Sequence, residues 1–116
     1  MCMRREELYL RDIVEAADFI AKFVEGLTRT AFQESELVRS AVVQKLAVIG
    51  EAAAHVIEPV RTRHPDVPWP KIVAFRNVLI HAYFGIDWDE VWRAATTECP
   101  ALKAQIESAL RAEFGE

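Results

Sequence analysis

Residues 10–27, LRDIVEAADFIAKFVEGL, decide the fold class. The apolar positions Leu10, Ile13, Ala17, Ile20, Val24 and Leu27 recur at steps of three and four, which draws one stripe down a helix. A strand would need alternation with a period of two, and neither this stretch nor any other sustains it. Gly26 supplies a stop near the end of the stripe.

The same spacing continues outward. After a short loop, LTRTAFQES, a longer helix carries Val38, Val42, Leu46, Ile49, Ala53 and Val56 on one side, with Ser35 as its N-cap. Residues 59–70, PVRTRHPDVPWP, hold four of the five prolines, so regular helix is interrupted there. Pro70 can occupy the first turn of a third helix, which runs through RNVLIHAY (residues 76–83) until Gly85 ends it in the left-handed conformation. Asp87 and Glu90 form a capping pair for a fourth helix, and Pro100 opens a fifth with Leu102, Ile106, Ala109 and Leu110 on one side. The expected fold is all-α: an antiparallel bundle of about five helices formed by residues 1–116 as a single domain.

With 52% hydrophobic and 28% charged residues, the 116-residue chain has the proportions of a soluble globular protein that can bury a core. No apolar run approaches the roughly 18 residues of a membrane span, and the opening MCMRREEL lacks the apolar segment of a secretory signal. A cytoplasmic protein without membrane contact is expected. Cys2 and Cys99 stand in no Cys/His cluster, so they read as free thiols, with no metal and no cofactor implied. A net charge of −4 excludes a broad basic face, so any nucleic-acid contact must be local.

Within RNVLIHAY, an arginine, an asparagine, a histidine and a tyrosine interrupt an apolar run. At about 100° per residue, Tyr83 lies about 20° from Arg76, Asn77 about 100° the other way and His81 about 140° from Arg76. Phe75, Val78, Leu79 and Ala82 are then expected to enter the core, while Arg76, Asn77 and His81 border a groove with Tyr83 at its edge. One straight helix cannot aim both Arg76 and His81 at one small group unless its last turn unwinds or a second copy joins in. A symmetric dimer resolves this, because the helix would meet its own copy across a twofold axis.

Arginine plus histidine suits cleavage of an RNA phosphodiester. A histidine titrates near neutral pH and can exchange a proton with the 2′-hydroxyl or the leaving oxygen. The guanidinium stays charged and can hold phosphate oxygens as negative charge builds. An ordinary surface helix would use the same residues for a salt bridge, a packed helix end and a loop anchor, and spacing alone leaves both readings open.

Glu51 shares a helical stripe with Gln44 and His55, as part of a polar seam near the groove or as an ordinary solvated or paired carboxylate. Trp69, Trp88 and Trp92 are expected to plug the bundle rather than stack bases. His64 reads as a loop residue, and the termini RREE and AEFGE as solvated ends.

Arg76, His81 and Tyr83 spell R-x-x-x-x-H-x-Y, which resembles the signature of the HEPN ribonucleases and in particular the HepT-like toxins of toxin–antitoxin pairs. The resemblance extends over RDIVEAADFIAKFVEG, AVVQKLAVIGEAA, PWPKIVAFRNVLIHAYFGID and the following Val91-Trp92. It implies an all-α homodimer with motif helices face to face and a metal-independent endoribonuclease with Arg76 and His81 as its catalytic pair. Asn77 is then a positioning residue. It further implies a partner, a minimal nucleotidyltransferase antitoxin that silences the toxin by transferring AMP to Tyr83. Ala82 stands where many relatives have glycine, and Ala74-Phe75 where Gly-Met is frequent. The alternative is a non-catalytic helical module that docks a nucleotidyltransferase and binds nucleotide.

Overall fold

A computed structural model describes residues 3–115, so Cys2 lies outside the described residues. The predicted stripe of residues 10–27 lies on α1 (Met3–Val24), where Leu10, Ile13, Ala17, Ile20 and Val24 are buried and Gly26 follows at φ +76. Two short helices that periodicity did not mark, α2 (Arg29–Glu34) and α4 (Glu58–Arg63), frame the long α3 (Glu36–His55). Arg76 and His81 of the motif lie on α5 (Trp69–His81), and Tyr83 opens the 3-10 turn at Tyr83–Gly85 that follows. Next come α6 (Trp88–Arg93), a π turn at Ala94–Glu98 and α7 (Cys99–Phe114). Among the described residues there is no strand, and no helix is long and apolar enough to cross a membrane. The fold is all-α, with α1 packed along α3 and α7, and α5 laid on α3.

The segment expected as a loop contains α2 because Thr28 caps it, its hydroxyl accepting from the Ala31 N–H at 3.1 Å, and because Phe32 is fully buried. Six residues are too few for periodicity to register. Ser35 and Asp87 cap α3 and α6 as expected; the Asp87 carboxylate accepts from the N–H groups of Asp89 and Glu90. The fourth and fifth helices, expected as separate, are joined through the π turn. Pro100 cannot donate to a carbonyl one turn back and its ring crowds that carbonyl, and a widened turn relieves both problems. The Thr96 hydroxyl donates to the Trp92 carbonyl at 2.7 Å within it.

The charged ends are not simply solvated. Glu6, in RREE, is 3% exposed and accepts from the Ile57 N–H at 2.9 Å where α4 begins. Arg61 returns from α4 to the end of α3 and donates to the carbonyls of Val56, Ala53 and Ala54, the last at 3.0 Å. Glu113, near the C-terminus, accepts from Arg63 at 2.6 and 2.8 Å and contacts His64 Nε2 at 2.8 Å. His64 lies in the loop after α4, as expected, and is pinned there by Glu113. The Arg63 guanidinium holds the Glu113 carboxyl down at about 2, with His64 assisting and burial opposing. Burial, with Glu98 nearby, pushes the Cys99 thiol up to about 12, which leaves it a free but unreactive core residue.

Candidate active site

Where α5 meets α3, the chain puts a glycine under an arginine. Gly50 is buried mid-helix, and a Cβ built on it would overlap Cβ and Cγ of Arg76 and lie 3.4 Å from its Cα. The missing side chain lets the two backbones approach closely enough for Arg76 to lie flat across α3. The buried side of α5 thus runs through Trp69, Ile72, Arg76 and Leu79. Trp69 anchors the start of this line, its indole N–H donating to the His64 carbonyl at 3.0 Å.

This arrangement corrects the expected helix face. Leu79 is buried and Phe75 partly buried, but Val78 is 48% exposed and Ala82 is exposed as well. The helical wheel could not anticipate that α3 would contribute a glycine, making room for Arg76 in the line where an apolar residue would ordinarily sit.

Arg76 is held on two sides. Its Nε donates to Asn77 Oδ1 at 2.9 Å, and its Nη1 forms a short ion pair with Glu51 Oε1. The Arg76 side chain is 16% exposed against 60% for Glu51, so the arginine is the fixed member. Glu51 also faces His55: the imidazole Nδ1 donates to the Glu51 backbone carbonyl at 2.8 Å and lies 3.6 Å from Oε2. His55 in turn packs its ring 5.3 Å from that of Tyr9 on α1. The stripe of Glu51 and His55 therefore does approach Arg76, and Asn77 and Glu51 are its immediate neighbours.

His81 is not part of this cluster. It is the last residue of α5, exposed, and its imidazole makes no hydrogen bond to any described residue. The helix stops there because Ala82 leaves helical geometry at φ −130, ψ 43, with its N–H still donating to the Val78 carbonyl at 2.9 Å. Gly85 was expected to end α5 with a left-handed residue; it does not, since positive φ occurs only at Gly26 and Gly115 among the described residues. Tyr83 consequently leaves the helical wheel. Its ring, 44% exposed, stands edge-on to Phe84 at 5.8 Å and to Trp88 at 6.2 Å. Trp88 and Trp92 pack against Phe32 at 6.4 and 5.2 Å, the structural role expected of them.

Chemically, the arrangement offers a guanidinium held in one orientation, an exposed imidazole at a helix end and an exposed phenol on the turn beyond. No three His, Cys, Asp or Glu side chains among the described residues converge into a metal-binding group. Periodicity missed Gly50. The signal for Gly50 was present: a glycine inside a helix otherwise rich in Ala, Leu and Val marks a close approach.

A family model described as Ribonuclease HepT-like matches residues 13–109. Among curated proteins, a candidate RNase of Methanocaldococcus jannaschii is 35% identical over 107 residues, covering 92% of this chain and 98% of its own. The ribonuclease HepT candidate of Thermococcus cleftensis is 34% identical over 104 residues, covering 90% and 94%. A candidate RNase of Caldanaerobacter subterraneus is 32% identical over 111 residues, covering 96% and 99%. No solved structure matches the chain at a significant level. The helical fold, the motif on α5 and these relatives together place the chain in the HepT-like ribonuclease family.

Proposed function

We propose that this ribonuclease is a cytoplasmic, metal-independent endoribonuclease toxin. In this reading the 1–116 domain acts as a homodimer, cuts RNA with Arg76 and His81 and is silenced by a nucleotidyltransferase antitoxin. The observation that carries the reading is the anchoring of Arg76 over Gly50, because a charge stabiliser works best when it is oriented before the reaction begins.

His81 removes the proton of the 2′-hydroxyl, whose oxygen attacks the adjacent phosphorus, and the P–O5′ bond breaks. The leaving oxygen takes a proton from the second histidine of the dimer or from water. The products are a 2′,3′-cyclic phosphate and a 5′-hydroxyl. Arg76 holds the non-bridging oxygens as their charge rises, with Asn77 and Glu51 orienting the guanidinium. Val78, Ile80 and Phe84 are 48%, 51% and 103% exposed beside His81, an unpartnered apolar surface that suits contact between two copies of α5. For silencing, the Tyr83 oxygen attacks the α-phosphorus of ATP on the antitoxin, pyrophosphate leaves, and the phenolic proton passes to solvent. The attached AMP then adds negative charge and bulk beside His81.

The test is incubation of purified protein with RNA in EDTA, beside Arg76→Ala and His81→Ala. Each substitution should reduce cleavage by about a hundredfold or more while helical content is retained. Products carrying 5′-phosphates, strict dependence on Mg²⁺ or undiminished cleavage by both variants would refute the mechanism.

A further inference from the structure

Arg11, Arg29, Arg63 and Arg76 each pair with a carboxylate, and Arg61 caps α3. Arg39 on α3 does neither. Its guanidinium carbon lies 4.8 Å from the centroid of the Trp88 ring, and its Nε is buried without a hydrogen-bond acceptor. Beside Trp88, Asp89 is engaged with Gln33 at 2.6 Å and Arg29 at 3.6 Å, and Asp87 with the first N–H groups of α6. A half-buried cation without an anion, in a chain of net charge −4, needs an explanation.

The other face of the arrangement is aromatic. Trp88 is wedged against Phe32 and meets the Tyr83 ring edge-on at 6.2 Å, so Arg39, Trp88 and Tyr83 form a continuous row. Tyr83 is 44% exposed and lies two residues beyond His81. Stacking on an indole fixes the plane of a guanidinium and leaves its two terminal amino groups for an acceptor, which favours two-point contact with a phosphate. A cation with an exposed ring close by is the combination that single-stranded nucleic acid recognises, phosphate on one and base on the other.

We propose that Arg39, Trp88 and Tyr83 form a subsite for single-stranded RNA beside the motif helix, with Arg39 on a backbone phosphate and Tyr83 under a base. The subsite rests on the ribonuclease reading and adds to it a contact outside the Arg76–His81 pair. It also supplies a reason for modification at Tyr83 to silence the protein, since the attached nucleotide would occupy the ledge where substrate lies.

The experiment measures binding of a short single-stranded oligoribonucleotide to the full chain by fluorescence anisotropy at several salt concentrations, in a His81→Ala background that leaves the strand uncut. Arg39→Gln should weaken binding about tenfold and flatten the dependence of log affinity on log salt by about 0.7, the loss of one phosphate contact on a single strand. Arg39→Lys should keep the salt slope while weakening binding less. Tyr83→Leu should weaken binding about fivefold or more, and Tyr83→Phe should retain it. With His81 intact, Arg39→Gln should raise KM and leave kcat nearly unchanged. Unaltered affinity and slope in a folded Arg39→Gln protein would overturn the subsite while leaving the ribonuclease reading intact. Should Arg39→Gln fail to fold, full binding by Tyr83→Leu, or a reduced slope in Arg39→Lys, overturns the subsite in its place. If the parent protein neither binds nor cuts RNA, both readings fall.

Discussion

Gly50→Ala tests the junction on which the site depends. Elsewhere in a helix this substitution is favourable by about 0.5–1 kcal/mol, because glycine loses more backbone freedom on folding. Here the added methyl would overlap Cβ and Cγ of Arg76 and reach 3.4 Å from its Cα. Those atoms lie at the backbone end of the side chain, so no rotation of the guanidinium relieves the overlap and α5 must shift away from α3. Overpacking of this kind costs about 1–3 kcal/mol, and the helix gain offsets only part of it, leaving a net loss of about 1–2 kcal/mol. With an unfolding entropy of roughly 0.24 kcal/mol/K for a chain of 116 residues, the midpoint should fall by about 4–8 °C. Far-UV circular dichroism during heating reads the midpoint. RNA cleavage well below it reads the displacement of Arg76 and should fall at least tenfold, because a misplaced guanidinium loses its hold on the developing charge. A variant that melts higher than the parent and cleaves normally would refute the close approach of α3 and α5.

Two other perturbations address the turn after α5 and the clip near the C-terminus. Tyr83→Phe should keep the fold and much of the cleavage yet gain no AMP mass when incubated with the proposed nucleotidyltransferase antitoxin and ATP. Equal modification of that variant, read by intact mass, would move the handle elsewhere. The Glu113 carboxyl is depressed from 4.5 to about 2 in the folded state, so its contribution to stability is complete above about 4.5 and is lost as pH falls toward 2. Thermal midpoints recorded across that window should decline more steeply for the parent than for Glu113→Gln, and parallel curves would show that the Arg63–Glu113–His64 clip does not couple folding to pH.

The long elements were legible because each buries a stripe over several turns. Leu10 to Val24 on α1, Val42 to Ala53 on α3 and Leu102 to Leu110 on α7 are buried as their spacing predicted. Short elements were not, since α2 and α4 complete too few turns for a period to appear, and they depend on Thr28, Phe32, Glu6 and Arg61 instead. At the site, Arg76, His81 and Tyr83 could be singled out from the sequence as candidates, and their placement could not. Glu51 meets Arg76, one of the two readings its stripe with Gln44 and His55 left open, and Asn77 meets it from the next position, but only tertiary packing turns Arg76 toward α3. The absence of a side chain at Gly50 is the cause, and it lies 26 positions away on another helix.

The ion pair between Arg76 and Glu51 at first looks opposed to phosphate binding, because the carboxylate occupies a donor that RNA would need. Exposure of the two partners argues otherwise. Glu51, 60% exposed, can swing into water at little cost, and a pair of this kind is worth roughly 0–1 kcal/mol. Arg76, 16% exposed and backed by α3, cannot follow it. A phosphate that takes two donors of the same guanidinium gains about 1.5–3 kcal/mol for a charge-assisted contact, which exceeds what the exposed carboxylate gives up. In the proposed mechanism Glu51 thus neutralises and orients Arg76 before substrate arrives without blocking it. The proposed division of work follows: the group that must meet charge at a fixed point is set into the helix junction, and the group that must move a proton stands at the exposed end of α5.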